Sequence, residues 1–235
     1  VILLRNITTY KELDLAKTNF IGTVSHELKT PIASIKMSLQ LLENEQIGTM
    51  NSEQKELLTS IKEDANRLLK FTSELLNMTQ VESGSIQLEM QATDSIDIIN
   101  YALNTVKQTA DQKQIKIVLE IAENLPKVVA DKEKTAWVIT NLLTNAIRYS
   151  HENSIIIIQA FENNNKIKIS VIDKGQGIAP EYLDKVFNRY FRVPGINKKG
   201  TGLGLSICKE FIDAQGGTTD VTSQLGKGSR FYIEL

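Results

Sequence analysis

Two long stretches that are poor in glycine and proline constrain the fold of this 235-residue chain most. Apolar residues recur every three or four positions through Leu13–Glu43, where Gly22 and Pro31 are the only glycine and proline. A similar pattern runs from residue 52 to about residue 78. This period predicts two helices joined by a turn that contains Gly48. We expect Ser52 to cap the second helix in a Ser-x-x-Lys pattern, without the glutamate of a full capping box.

Both predicted helices carry apolar residues on more than one face. Beside its main seam, the second helix also has Leu57, Leu69, Phe71 and Leu76. One hairpin cannot cover such a wide apolar stripe. The sequence therefore predicts that two copies pair into a four-helix bundle, so the chain is expected to form a homodimer through its helical hairpin.

The hydrophobic period changes around Gly84, which predicts a domain boundary. The expected organisation is the end of an upstream domain at 1–12, the helical hairpin at 13–80, a linker at 81–87 and a second domain at 88–235. In the second domain, strands are predicted at 86–91, 115–121, 154–161, 166–173 and 228–235, and helices near 94–112, 132–149 and 203–215. The expected fold is therefore multidomain, with an all-α hairpin followed by an α+β sandwich of a mixed sheet with helices on one face.

Charge and cysteine content exclude several classes of protein. The 27 basic and 28 acidic residues give a formal charge of −1, so the chain has no net field that would attract nucleic acid. The single Cys208 excludes an internal disulfide framework, and no secretory signal precedes it, which favours a cytoplasmic setting. No apolar run approaches the roughly 18 to 20 residues that cross a bilayer.

Asn141 and Asn145 are the first candidate site residues. They are four positions apart in a predicted helix, so both amides leave the same face. Asparagine is a poor helix former, and an amide oxygen suits a hard cation such as Mg²⁺. A pair of solvated amides is the simpler alternative.

Two glycine-rich segments follow. Asp173, at the end of a predicted strand, precedes Gly175 and Gly177, an arrangement that permits a tight turn and close approach of a flat ligand but also occurs in ordinary turns. Further along, "GTGLGLSICKEF" leads from glycines into a helix, whose unpaired N–H groups suit a phosphate. The glycines of this second segment are Gly200, Gly202 and Gly204. A third pair, in "GKGSRF" at 226–231, is explained adequately by a hairpin turn.

The order of these motifs closely resembles a sensor histidine kinase of two-component signalling. The resemblance covers the chain from about Leu13 to its last residue. "SHELKTP" at 25–31 resembles the H box, 141–149 the N box, 173–178 the first glycine box, 187–192 the F box and 200–205 the second glycine box. The resemblance implies a dimerisation and phosphoacceptor hairpin followed by a Bergerat-type ATP-binding domain.

The resemblance also implies roles for individual residues. Asn145 is expected to bind Mg²⁺, and Asn141 to support the phosphates of ATP. Asp173 is expected to accept a hydrogen bond from the adenine amino group, since a carboxylate suits that edge and would repel phosphate. The remaining implied nucleotide contacts are Tyr149 in the adenine pocket, Arg148 where lysine is commoner, and Arg192 beside the terminal phosphates.

His26 is the implied phosphoacceptor. It is one of two histidines in the chain, and its position two residues from Leu28 on a helix, about 200° of rotation, predicts that it faces solvent. Glu27 is the candidate base, and Thr30, one turn after His26, could orient a water molecule or an acyl phosphate. Pro31 removes one helical hydrogen bond, which permits a bend just below the histidine.

The implied activity is autophosphorylation of His26 with Mg-ATP, transfer to an aspartate of a response regulator receiver domain, and removal of phosphate from that regulator. The first residues resemble the final strand of a PAS-type sensor in the same full-length chain, which could be anchored in the inner membrane. Two other classes stay open: an ATPase of the wider superfamily that includes gyrase and MutL, and a non-catalytic dimeric scaffold.

Overall fold

The chain divides into two compact units, residues 1–85 and 86–235. The structure, a computed structural model, describes residues 8–44, 48–84, 86–195 and 200–235, without the side chains of residues 8–15, 17–19 and His26. The prediction of an upstream strand falls mostly on residues 1–7, which lie outside the described residues. Among the described helices, none has the length and hydropathy that a membrane span requires.

The first unit is a hairpin of two long helices, α1 (Thr8–Leu42) and α2 (Ser52–Glu82). Helix α1 continues through Pro31, which lies inside it. The expected cap at Ser52 is wrong, because Asn51 is the N-cap of α2. Its side chain accepts from Gln54 N at 2.8 Å, while Gln54 Oε1 accepts from Asn51 N at 3.0 Å. This reciprocal pair is a full capping box, with asparagine and glutamine in place of serine and glutamate.

The seam between α1 and α2 repeats every seven residues. Ser25, Ile32 and Leu39 are buried on α1, and Leu58 and Ala65 begin the matching series on α2. A single hairpin leaves much apolar surface outside this seam, as the sequence pattern predicts. The exposed apolar side chains of the hairpin are Phe20, Leu28, Ile35, Met37, Leu41, Leu42, Leu57, Ile61, Leu68 and Phe71.

The second unit is an α+β domain, as expected. Its elements are β1 (Met90–Thr93), α3 (Ser95–Gln112), β2 (Lys116–Ile121), β3 (Val128–Asp131), α4 (Lys132–Tyr149), β4 (Ile155–Asn163), β5 (Lys166–Ile172), α5 (Pro180–Leu183), α6 (Gly204–Ala214), β6 (Thr218–Gln224) and β7 (Gly228–Glu234). Five strands form a sheet in the order β2-β4-β5-β7-β6, and β1 pairs with β3 separately. The large sheet is mixed, because β2 and β4 are parallel and its other pairs are antiparallel.

The core of this unit lies between the five-stranded sheet and helices α3, α4 and α6. Alternate residues of the strands face the helices, so Ile167, Ile169 and Val171 of β5 are buried. The helices contribute the apolar faces that cover them, and the largest fully buried side chains are Ile98, Ile99, Ile139, Leu142, Leu143, Ile147, Ile156, Ile158, Leu203, Ile207, Phe211 and Ile212. This packing fixes α4 and α6, which carry two of the candidate motifs, against one sheet.

Gln215 joins the end of α6 to the start of α4. Its Oε1 accepts from Asp131 N at 2.8 Å and from Thr135 Oγ1 at 3.1 Å, and its Nε2 donates to Phe211 O at 2.9 Å. Asp131 is in turn the N-cap of α4. One side chain therefore links the two helices whose other ends carry the candidate motifs.

We expect Gln215→Leu to lower the free energy of unfolding by about 1 to 3 kcal/mol, because it leaves the Asp131 N–H and the Thr135 hydroxyl without this acceptor. Urea unfolding of the 235-residue chain measures the loss. Gln108→Leu, at an exposed position of α3, is the matched control. Equal stability of the two variants would contradict the assigned role of Gln215.

Candidate nucleotide-binding and phosphoacceptor sites

Helix α4 presents the two asparagines of the "NLLTNAIRYS" motif on one face. Asn141 is buried, with 7% of its surface exposed, while Asn145 is half-buried. Asn145 Nδ2 lies 3.4 Å from Asn141 Oδ1 as a donor. This contact uses the nitrogen end of the Asn145 amide and leaves its oxygen end for another ligand.

The start of α6 lies directly against Asn141. A Cβ atom added to Gly204 would lie 2.6 Å from Asn141 Oδ1, so only glycine permits this approach. The N-cap residue Leu203 offers no side-chain hydrogen bond to the first turn of α6. The first N–H groups of α6, which lie next to the amides of α4, are therefore suited to bind an anion.

The glycine segment before α6 also contacts α4 and the "VFNRYFR" segment. A Cβ atom on Gly200 would lie 3.1 Å from Arg148 Nη1. Gly202 has φ +76°, and a Cβ atom there would lie 2.7 Å from the carbonyl carbon of Tyr190. Tyr190 N donates to Gly202 O at 3.0 Å, and Tyr190 itself has φ +62°. The backbone thus holds the two segments together.

Asp173 follows β5 and is buried, with 6% of its surface exposed. Its Oδ1 accepts from Gly175 N at 2.8 Å. Burial raises the pKa of the Asp173 carboxyl above its ordinary value, although backbone hydrogen bonds from Gly175 and Ser229 act in the opposite direction. A Cβ atom on Gly175 would lie 2.6 Å from Tyr149 O, so the end of α4 lies against this turn.

The hairpin between β6 and β7 supports the Asp173 turn. Gly177 has φ +68°, and a Cβ atom there would lie 2.0 Å from Gln224 O. Gly228 has φ +106°, and a Cβ atom there would lie 2.0 Å from Asp173 O. The "GKGSRF" glycines were expected only to form a hairpin turn, but Gly228 also allows β7 to approach Asp173.

Ser223 is a further residue of this support that sequence reasoning missed. Its hydroxyl accepts from Ile178 N at 2.8 Å and lies 2.8 Å from Gly228 O as a donor and 2.9 Å from Ser229 Oγ. Ser229 O accepts from Asp173 N at 2.8 Å. No local pattern marks Ser223, because its partners lie in two other segments.

The arginines of the "VFNRYFR" segment are placed differently. Arg189 Nη2 forms an ion pair with Glu210 Oε1 of α6 at 3.2 Å. Arg192 is exposed and follows the segment that Gly202 contacts. The expected contact of Arg192 with the terminal phosphates stays a prediction.

In the described ranges, no group of three His, Cys, Asp or Glu side chains is arranged as a metal site. Amide oxygen, water and nucleotide phosphate form another set of donors for a cation. That donor set suits Mg²⁺, which keeps several waters and binds through few protein oxygens. Asn145, with its amide oxygen directed away from Asn141, fits this role.

The other candidate residues lie in the first unit. Glu27 and Thr30 are exposed on α1, one residue and four residues after His26. The side chain of His26 lies outside the described residues, so its expected orientation toward solvent stays a prediction. The structure thus brings together the predicted residues of α4, of the Asp173 turn and of the glycine segment. The predicted phosphoacceptor belongs to the other unit.

The first unit is a helical hairpin that carries a histidine motif, and the second is an α+β domain with a candidate nucleotide site. Together they define a two-domain phosphotransfer protein. Family comparisons agree with this class. The model of the His Kinase A (phospho-acceptor) domain matches residues 16–84. The model of the histidine kinase-, DNA gyrase B- and HSP90-like ATPase matches residues 130–235.

Individual proteins are similar over the whole chain. The alginate biosynthesis sensor protein KinB of Pseudomonas aeruginosa is 32% identical over 235 residues, which are 100% of this chain and 39% of KinB. The sensor protein SrrB of Staphylococcus aureus is 33% identical over 238 residues, covering 100% of this chain and 40% of SrrB. The crystal structure of full-length ShkA in complex with AMPPNP matches with a TM-score of 0.75 and 26% identity, covering 92% of this chain and 45% of ShkA.

The chain belongs to the sensor histidine kinases and is the catalytic portion of such a protein. It spans about two fifths of the length of the curated relatives. The family and fold expected from the sequence are confirmed, whereas the roles of individual site residues stay predictions.

We expect Asp173→Asn to weaken ATP binding by at least about tenfold, because a buried hydrogen bond to a charged group contributes roughly 1.5 to 3 kcal/mol. The variant should be at least as thermally stable as the parent at pH 7.5. The raised pKa means that the ionised carboxylate destabilises the fold at neutral pH, and asparagine removes that cost.

This stability difference should shrink as the pH falls through the pKa that Asp173 has in the folded protein, because the parent then becomes neutral as well. Titration calorimetry and thermal melts at several pH values measure both effects. Asp111→Asn, at an exposed position of α3, is the control. Unchanged ATP affinity in Asp173→Asn would refute the adenine contact.

Proposed function

We propose that this chain binds Mg-ATP in its second unit, phosphorylates His26 and passes the phosphoryl group to an aspartate of a response regulator receiver domain. The observation that carries the proposal is the buried Asp173 carboxylate beside the end of α4, in a domain that also directs the Asn141 amide and the start of α6 toward each other. A carboxylate suits the amino edge of adenine, and a glycine-rich helix start suits phosphate.

In the proposed complex, one group of residues binds adenine and another binds the phosphates. Asp173 and Tyr149 hold adenine. Asn141, the N–H groups at the start of α6, and the Arg148 and Arg192 guanidinium groups hold the phosphates. Mg²⁺, bound through Asn145, would neutralise phosphate charge. Positioning and charge stabilisation supply most of the rate in phosphoryl transfer.

The phosphoacceptor step uses a neutral imidazole. One ring nitrogen of His26 attacks the γ-phosphorus as the bond to the bridging oxygen breaks and ADP leaves. The proton on the other ring nitrogen passes to the Glu27 carboxylate, which acts as general base. In the following step, a carboxylate oxygen of the receiver domain attacks phosphorus as the N–P bond breaks, and the protonated Glu27 carboxyl returns its proton, so that the imidazole is neutral again.

We also propose that the chain works as a homodimer. The hairpin exposes Phe20 at 68% and Met37 at 63%, together with apolar residues along α2. Exposed apolar surface of this extent favours an interface, and a second hairpin has the complementary shape and length. An upstream sensor domain in the full-length chain, which could be anchored in the inner membrane, completes the proposal. The greater length of the relatives supports it.

His26→Gln should abolish labelling of the chain by ATP carrying ³²P at the γ position, while ATP affinity stays within about twofold, because acceptor and nucleotide residues belong to different units. The label on the parent should survive denaturation in base and be lost in acid, as expected for a phosphorylated imidazole. His151→Gln, the other histidine, is the control and should be labelled normally. Stable labelling of His26→Gln would refute the assignment of the acceptor.

Mixing His26→Gln with Asn145→Ala shows whether the phosphoryl group is transferred within one chain or between the two chains of the dimer. Asn145→Ala should lose labelling but remain dimeric, because the hairpin is unchanged. Recovered labelling in the mixture would show transfer between subunits, whereas no recovery would favour transfer within one chain.

Thr30→Ala should keep near-normal labelling of His26 but lose about 10²-fold or more of its ability to remove phosphate from the regulator. Hydrolysis of an acyl phosphate needs a water aligned with phosphorus, which an exposed hydroxyl one turn from the histidine can hold. Ser34→Ala, one turn further on, is the control. Assays of His26 labelling and of phosphate removal from one purified regulator measure the two activities separately. Equal effects of Thr30→Ala on both would rule out water positioning.

A further inference from the structure

One lysine outside the predicted site reaches the helix on which that site is built. Lys113 is the C-cap residue of α3 and is half-buried in the turn before β2. Its Nζ donates to Ile147 O at 2.8 Å and to Arg148 O at 3.3 Å. These carbonyls belong to the last turn of α4.

The last four carbonyls of a helix have no partner within the helix, and its C-terminus carries partial negative charge. The Lys113 ammonium therefore supplies both hydrogen bonds and a favourable charge at the end of α4. A second connection comes from the backbone, because Lys113 O accepts from Asn153 N at 3.2 Å, just beyond α4. Lys113 thus holds the chain on both sides of the point where α4 ends.

The turn that Lys113 holds contacts both ends of the nucleotide site. The next carbonyl along, Tyr149 O, would lie 2.6 Å from a Cβ atom on Gly175, the residue whose N–H binds Asp173. Arg148, whose carbonyl accepts from Lys113, directs its guanidinium to Gly200 at the glycine segment. A shift of this turn would therefore move Tyr149, which borders the proposed adenine site, together with Arg148, which is proposed to hold phosphate.

We propose that Lys113 is a positioning residue for the nucleotide, acting through the carbonyls of Ile147 and Arg148. The proposal rests on the proposed binding of ATP at this site. Lys113 orders the last turn of α4 before ATP binds. When Lys113 is replaced, this turn must become ordered as ATP binds, and the free-energy cost of that ordering weakens binding. The catalytic groups themselves are unchanged by its removal.

The test compares Lys113→Met, Lys113→Arg and the control Lys107→Met, an exposed lysine of α3. Titration calorimetry on the 235-residue chain at 25 °C, where circular dichroism shows each variant folded, measures ATP dissociation constants. Lys113→Met should bind ATP on the order of tenfold more weakly. Lys113→Arg, which keeps a cation and donors, should stay within about threefold of the parent, and Lys107→Met within twofold.

Kinetics separate positioning from simple stabilisation. For autophosphorylation, Lys113→Met should raise KM for ATP by a similar factor while kcat at saturating ATP stays within about twofold. A merely structural cap would lower the melting temperature and leave both constants unchanged in the folded protein. Should Lys113→Met not fold, Lys113→Gln carries the same expectation, because its shorter neutral side chain cannot replace the ammonium at both carbonyls.

The outcomes distinguish this inference from the function on which it rests. An ATP dissociation constant in the folded variant within twofold of the parent would overturn the role of Lys113 and leave the proposed function intact. A parent chain that binds no ATP would overturn both. A parent that binds ATP without labelling His26 would refute the kinase reaction, while the binding data would still decide on Lys113.

Discussion

Close approach of backbone to backbone around Asp173 is the constraint on which the nucleotide domain depends. At Gly177 and Gly228, an added Cβ atom would lie 2.0 Å from a carbonyl oxygen of another segment. Without side chains between them, the end of β5 and the β6–β7 hairpin bury the Asp173 carboxylate while an N–H from Gly175 still reaches it. Burial of a carboxylate is unfavourable unless such partners are present.

The chain separates the chemistry of acceptor and donor between two units that have different physical needs. In the proposed reaction, the hairpin must keep its histidine accessible and its apolar faces available to another helical pair. The many exposed apolar side chains among its described residues fit the second requirement. The second unit instead holds α4 and α6, which carry two of the motifs, against a mixed sheet. Each unit has its own core, so a substitution in one need not disturb the other.

Local patterns predicted the long elements well and the short ones poorly. Helix α4 spans the predicted 132–149, and α3 begins one residue later than expected. Strands β3 and β6 were not predicted, because β3 has only four residues and β6 is rich in threonine and serine with one buried valine. The first strand lies at Met90–Thr93 rather than 86–91, where pairing with β3 provides its hydrogen bonds.

The sequence by itself determined the class of protein, the two-domain order and the motifs, because ordered motifs at short spacings carry the resemblance to sensor histidine kinases. That resemblance implied the roles of His26, Asn145 and Asp173, which stay predictions. Only the tertiary structure decided which distant groups support the site. Ser223 binds Ile178 N across 45 positions, and Lys113 binds Ile147 O across 34. Such contacts depend on how strands and helices pack together, and no local spacing or propensity encodes them.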